Sequence, residues 1–423
     1  MLNAESVRAV DASRWGDHFV RPLYDSYCFS RLPDLVHGLF SGEHADLRRM
    51  MLGPLDRQYD RVVLFFIDAF GWQFFERYAG RYPFLSRLLD EGYVTKLTSQ
   101  FPSTTSAHIT TIHTGMPVGE SGVYEWFYYE PVLDAMITPL FFSYAGDREV
   151  GTLLRDGVKP LDLFPFPGRT VYNALAKVGV SSTVYGDRSY TPSPHSAVAY
   201  DGAEVVAYPD LAWALRHLAE RLRADPGPHY YFLYHDVIDS AGHHHGPESP
   251  EFTDAVATTF EQIERELAPA LAAGEGRTLF LMTADHGQVA MDPGTTIYID
   301  LEIPGFERFI RTNRDGHLLV PGGSARDLFL YIKDDMLDEA HHVLLEHLEG
   351  KAEVHRIETL VSEGFFGREV SQRLMERVGN LVVLPYEGET VFWYGKGRFA
   401  QPFHGHHGGP TPTEMGTLLA ALA

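Results

Sequence analysis

The sequence is poor in cysteine, in basic charge and in long apolar runs, and each shortage excludes something. A single cysteine, Cys28, stands among 423 residues, so no disulfide can form within the chain. The fold must then hold by burial alone, which a chain of this length can do, and a reducing compartment fits. Lys and Arg number 35 against 57 Asp and Glu, a formal net charge of −22. Holding a nucleic-acid polymer or an anionic bilayer needs clustered cations, so neither is an expected partner. No stretch reaches the roughly 18–20 apolar residues that a membrane span needs. The start, MLNAESVRAVDASRWGDHF, has no basic segment leading into an apolar one. A signal peptide is therefore not expected, and the expected location is cytoplasmic.

What the sequence does have is an alternation of apolar runs with helical spacing. RVVLFFIDAFGW (61–72) is a continuous apolar run that ends at Asp68. It reads as a strand buried on both faces. FFERYAGRYPFLSRLLDEG (74–92) follows with helical spacing, and YVTKLTSQF (93–101) reads as the next strand. The alternation recurs in a helix over 170–180, a strand over 181–186, a helix over 210–224, a strand over 229–237, a long helix over 252–274 ended by Gly274, and the strand TLFLMTADHG (278–287). This order predicts an α/β fold, a mainly parallel sheet sandwiched by helices. Residues 290–399 depart from it, with short strands around one helix. The expected division is a main α/β domain of 1–289 and 400–423 with a small α+β insert, 290–399.

Four places gather metal-ligand residue types where strands end, and in open α/β sheets ligands bind beyond the carboxyl ends of strands. Asp68 closes the first apolar run. A carboxylate there is costly unless paired, hydrogen-bonded or bound to metal, and an Asx turn or helix cap is the plain alternative. HDVIDSAGHHHGP (235–247) sets Asp239 four residues before His243, with Gly242 between them to allow a tight bend. His244 and His245 are expected outside the ligand set. Asp285 and His286 are adjacent at a strand end, so both reach one ion only if the chain turns, which Gly287 allows. FHGHHGG (403–409) offers His404, His406 and His407. Mixed imidazole and carboxylate donors suit zinc better than magnesium or calcium.

SQFPSTTSAHITTIHTG (99–115) then packs hydroxyls just before a predicted helix. One is a candidate nucleophile, since a metal ion can activate a Thr hydroxyl. The others are expected to cap and shape the helix. His108, three residues after Thr105, is a candidate donor to a phosphoryl oxygen or a structural histidine. GVYEWFYYEP (122–131) adds five aromatic residues that either stack on substrate or pack in the core.

Taken in order, these motifs resemble the alkaline phosphatase superfamily, and within it the type I phosphodiesterase / nucleotide pyrophosphatase family. The order is Asp at a strand end, Pro-x-x-Thr, Asp-x-x-Gly-His, Asp-His-Gly and a final Gly-x-His-Gly. The resemblance runs from about residue 60 to the end and is least specific over 290–400. It implies that Thr105, in Pro102-Ser103-Thr104-Thr105, is the nucleophile and a metal ligand. It implies that Asp68, Asp285 and His286 complete that first site. Asp239, His243 and His407 would hold a second ion, with His404 the rival for the last place. Two divalent ions are implied, zinc foremost, with manganese and iron as alternatives. The implied activity is hydrolysis of a phosphodiester or pyrophosphate in a small nucleotide-like molecule, through a phospho-enzyme intermediate. A phosphomonoesterase or another phosphotransferase of the superfamily is the alternative. A monoesterase would need a cation such as Arg188 for the added charge. A non-catalytic metal-binding module would keep the ligands without turnover. A sulfatase is excluded, because Cys28 stands in no Cys-x-Pro-x-Arg motif.

Overall fold

A seven-stranded sheet organises the chain, and five of its strands fall on the strand segments read from the sequence; Glu204–Tyr208 and Gly416–Leu422 are strands that reading did not mark. The structure is a computed structural model and describes residues 1–164, 166–225, 227–273 and 277–423. In chain order the sheet strands are β1 (Arg61–Ile67), β2 (Tyr93–Thr98), β3 (Ser181–Asp187), β4 (Glu204–Tyr208), β5 (His229–His235), β6 (Thr278–Thr283) and β7 (Gly416–Leu422). Their spatial order is β2-β7-β6-β1-β5-β3-β4. β7 runs antiparallel to both its neighbours, and every other direct pairing is parallel. The mainly parallel α/β sandwich is thus the fold observed.

Helices cover both faces. The ones used below are α1 (Leu32–Ser41), α2 (Ala45–Leu52), α3 (Trp72–Tyr78), α4 (Pro83–Asp90), α5 (Thr105–Thr114), α6 (Leu211–Ala224), α7 (Val237–His245) and α8 (Pro250–Gln262). Alternate strand residues point to opposite faces. Phe65, Leu233 and Met282 pack with Phe74, Leu215 and Phe260 of α3, α6 and α8. Leu64, Phe66 and Phe232 pack with Leu35 and Leu39 of α1 and Ile109 and Ile112 of α5. Burial on both faces is why these strands carry no alternating polar pattern.

Three local expectations need correction. The segment over 74–92 is two helices rather than one, because Pro83 lacks the N–H that a continuing helix would use and instead sits at N1 of α4. The long helix after residue 250 changes at Ile263 to a π-helical turn and resumes at Ala268–Ala272. Its expected terminator, Gly274, lies outside the described residues. The closing segment, where the sequence pattern marks no strand, is the buried strand β7.

Within 290–399 a four-stranded antiparallel sheet forms from Gly322–Ser324, Asp327–Leu330, Leu381–Pro385 and Ala352–Arg356. Its Phe329 shares one core with Phe101, Tyr124, Tyr128 and Phe365, so this region packs directly against the turn before α5. No helix among the described residues is long and apolar enough to cross a membrane.

Candidate active site

The parallel strands deliver their carboxylates to one edge. Ile67 of β1 pairs with His235 of β5, and Phe66 pairs with Thr283 of β6. The three strands therefore end nearly level, and Asp68, Asp239 and Asp285 follow within a few residues of those ends. Gly71 is required here for room: a Cβ on it would sit 2.6 Å from the Gly416 carbonyl oxygen and 2.7 Å from the Gly287 nitrogen.

Asp68, Asp285 and His286 form one ligand group, and Asp239, His286 and His407 form another, with ligand atoms in each within 4.8 Å of one another. His286 Nε2 lies 3.2 Å from Asp285 Oδ2 and 3.5 Å from Asp68 Oδ1. Thr105 Oγ1 stands 3.4 Å from both Asp68 Oδ2 and His286 Nε2. On the other side, His243 Nε2 is 3.3 Å from Asp239 Oδ2, and His407 Nε2 is 3.7 Å from Asp239 Oδ1.

The donor chemistry fits divalent cations. Asp68 Oδ1 and Asp285 Oδ2 are buried and have no hydrogen-bond partner. Orphaned buried carboxylate oxygens are expensive, and a cation at this place satisfies them. All three imidazoles pair Nδ1 with a backbone carbonyl: His286 with Gly287 at 3.0 Å, His243 with Gly405 at 2.8 Å and His407 with Ser103 at 2.9 Å. With Nδ1–H donating there, each Nε2 lone pair turns toward the carboxylates, the usual outer support of metal-bound histidine. Burial, then the nearby Asp285 and Asp239 charges, push the Asp68 carboxyl well above the usual range. Burial and the crowd of neighbouring imidazoles hold His407 well below its ordinary value, which keeps it neutral.

The type I phosphodiesterase / nucleotide pyrophosphatase family profile matches residues 62–410. The chain belongs to that family. Members of known structure share its fold. Murine ectonucleotide pyrophosphatase/phosphodiesterase 5 has a TM-score of 0.61 at 16% identity, covering 85% of this chain and 87% of that one. An inactive variant of the murine protein in complex with AMP gives 0.62 at 16% identity, covering 86% and 88%. The mouse (Mus musculus) ectonucleotide pyrophosphatase/phosphodiesterase family member 1 is 24% identical over 244 residues, 55% of this chain but only 24% of that protein's length. Family membership and the paired ligand groups support a metal-dependent phosphoester hydrolase.

This family member uses its sequence in ways that local reading missed. Asp239 and His243 do not meet through a bend at Gly242. Both lie on α7, one helical turn apart. Gly242 is bare because Gln288 presses on it, with Oε1 1.7 Å from where a Cβ would be, and Gln288 Nε2 donates to Asp239 Oδ1 at 3.0 Å. His404 is exposed and tied in by its backbone, with its N–H donating to the His243 carbonyl. His244 and His245 are exposed. The hydroxyls flanking Thr105 do not cap α5. Thr104 donates to the Tyr124 carbonyl at 2.8 Å, and Ser103 donates to that of Gly409 at 2.8 Å.

His108 is fully buried with both ring nitrogens engaged. Nε2 accepts from the Gln100 N–H at 3.0 Å and lies 2.9 Å from Ser99 Oγ, while Nδ1 lies 2.7 Å from the Thr104 carbonyl. Burial lowers its pKa to about 4, so it is neutral at ordinary pH. The expected donation to a phosphoryl oxygen meets a ring with no N–H to spare.

A cavity of about 580 Å³ opens above the ligands. Thr105, Asp239, His243 and His407 line its floor, Trp126, Phe127, Phe141, Phe399 and Phe403 its walls, and the exposed Arg148 and Arg398 its rim. Of the five aromatic residues after α5, Trp126 and Phe127 reach the cavity, Tyr124 and Tyr128 are core, and Tyr129 packs on Tyr331. Arg188 is exposed and does not line the cavity.

A buried ion pair fastens the His407 turn to the 290–399 region, and no local sequence signal marks it. Arg326 Nε and Nη2 reach Glu414 Oε1 and Oε2 at 3.0 and 2.9 Å, both side chains wholly buried. Glu414 also accepts from Thr411 Oγ1 at 2.6 Å and the Gly409 N–H at 3.1 Å. Glu414→Ala strands the guanidinium, and the expected loss is about 3–5 kcal/mol of stability, read as a lower denaturant midpoint.

Proposed function

We propose that this chain hydrolyses phosphodiester or pyrophosphate bonds in small nucleotide-like molecules, with Thr105 as nucleophile. The position of Thr105 Oγ1, 3.4 Å from both an Asp68 oxygen and His286 Nε2, carries this reading. Zinc ions, held by Asp68, Thr105, Asp285 and His286 on one side and by Asp239, His243 and His407 on the other, would supply the charge that activates the hydroxyl and steadies the leaving oxygen.

The chain's own groups account for the rest. Thr105 opens α5, and no side chain caps that helix. Its first-turn amides and positive dipole end therefore suit the equatorial oxygens of a phosphoryl group. Thr105 Oγ bonds to phosphorus as the bond to the leaving oxygen breaks, giving a phosphothreonine diester. Water then attacks phosphorus, the Thr105 oxygen departs and regains a proton, and the product leaves as a monoester. His108 acts as a positioning residue that holds the 99–104 turn. Trp126 and Phe141, edge to face at 4.8 Å, offer an apolar wall to the second ester group. The inactive murine variant, which carries a threonine-to-alanine change, holds AMP, a nucleotide of the class proposed here.

A diesterase is favoured over a phosphomonoesterase by the placement of cationic side chains. Among the described residues, the arginines of the cavity sit at its rim, and neither Arg nor Lys lines the floor beside Thr105. The second negative charge of a monoester would meet no cationic side chain there. With zinc-loaded protein, bis-p-nitrophenyl phosphate is expected to turn over faster than p-nitrophenyl phosphate. The reverse order would move the chain to the monoesterases, and no turnover of either with zinc retained would favour a non-catalytic module.

A further inference from the structure

We propose a further divalent-cation site, separate from the cavity above, formed by His37, Glu43 and His44. These three side chains offer ligand atoms within 4.8 Å of one another. His37 Nδ1 lies 3.6 Å from Glu43 Oε2. The two imidazoles stand 6.3 Å apart between centroids at 72°, edge to face. Two imidazoles and one carboxylate form a zinc-type donor set, and a fourth position is left open to solvent.

The chain is shaped to make this group. His37 rides on α1, which ends at Ser41. Gly42 takes φ 81° at its C-cap, a left-handed conformation that glycine adopts without penalty. The backbone then doubles back over Gly38, where a Cβ would meet the Glu43 carbonyl oxygen at 2.7 Å and the His44 Cβ at 3.3 Å. His44 also adopts positive φ, 53°, at the start of α2 without capping that helix. A non-glycine residue in this region is uncommon. Gly38, Gly42 and the αL His44 together return His44 to the His37 side of the turn.

The surroundings leave the group available. Glu43 has two-thirds of its side chain exposed (66%), and among the described residues the other side-chain partner close to His37 Nδ1 is Ser41 Oγ, at 3.4 Å. A second cavity of about 430 Å³ adjoins the group and is lined also by Thr114 and Gly115, the end of α5 opposite Thr105. Arg169 and Lys177 stand on that cavity's wall outside the ligand set, and Arg169 is 4.0 Å from Glu120. An ion here would staple the α1–α2 turn. α1 in turn packs on α5 through Leu35, Leu39, Ile109 and Ile112. The proposed role is structural, stiffening the layer that backs the nucleophile helix.

The test counts zinc. Wild type, His37→Gln and His44→Asn are loaded, passed through a desalting column and analysed by atomic spectrometry. Asparagine tolerates the αL conformation, so His44→Asn removes the imidazole without the backbone penalty. Each variant is expected to carry one zinc equivalent fewer than wild type. The same one-equivalent drop is expected in a His407→Ala background, which separates this site from the cavity ligands. Zinc should also raise the melting temperature of wild type more than that of His44→Asn. Hydrolysis of bis-p-nitrophenyl phosphate should be unchanged in both single variants. Equal zinc content in wild type and both variants would overturn the proposal, whatever the catalytic site does. If wild type hydrolyses no phosphate ester yet loses one equivalent on His44→Asn, the functional reading fails and this site stands.

Discussion

Thr105→Ala is expected to lower kcat for a phosphodiester by about 10³-fold or more, because removing a nucleophile leaves only binding and electrostatic contributions. That is roughly 4 kcal/mol of lost transition-state stabilisation at 1.36 kcal/mol per tenfold. The fold should survive, since Thr105 is only partly buried and, among the described residues, its hydroxyl makes two long contacts, 3.4 Å each, to Asp68 and His286. Substrate affinity should change far less than turnover. Melting temperature and KM measured beside kcat separate this outcome from a folding defect.

Asp68→Asn has the second large effect, and its two halves point in opposite directions. Asp68 is 1% exposed, and its Oδ1 has no hydrogen-bond partner. Without metal, burial and the charges of Asp285 and Asp239 oppose its ionisation. Asparagine is neutral and keeps an oxygen for the Tyr234 hydroxyl, which donates to Asp68 Oδ2. The metal-free variant is expected to gain about 1–2 kcal/mol of stability, because the neutral amide removes the cost of burying the carboxyl, whether it is kept charged or forced to take up a proton. The same change takes a ligand from the first site. Outer partners alone are worth 10–100-fold in metal affinity, so zinc should bind at least about 100-fold more weakly. Melting curves with chelator and with zinc check both halves: the variant should melt higher than wild type in the first and lower in the second.

The parts of this site that could be read from sequence are those tied to one strand end. Asp68 and Asp285 each close an apolar run, and such a run buried on both faces leaves a carboxylate nowhere ordinary to be. Asp239 and His243 were legible as a pair, but the helix that joins them was hidden. Gly242 looks like a bend, and its real cause, the Gln288 amide pressing on it, comes from a residue far along the chain. β7 carries no strand mark because GTLLAAL is mostly leucine and alanine, with no β-branched residue beyond Thr417. The Arg326–Glu414 pair was out of reach for the same reason as Gln288: its partners lie 88 residues apart. His108 shows the limit from the other side. Its spacing from Thr105 suggests chemistry, while the Gln100 N–H and the Thr104 carbonyl claim both ring nitrogens.

If Thr105 is the nucleophile, phosphorus is held on its oxygen during each turnover. Zinc-loaded protein mixed with bis-p-nitrophenyl phosphate and quenched in acid within the first turnover tests it most directly by peptide mass spectrometry. A p-nitrophenyl phosphoryl adduct is expected on Thr105, in the peptide spanning 97–148, appearing with the first burst of nitrophenolate. Steady turnover with no adduct on that peptide, or an adduct on Ser103, Thr104 or Ser106 instead, would contradict it.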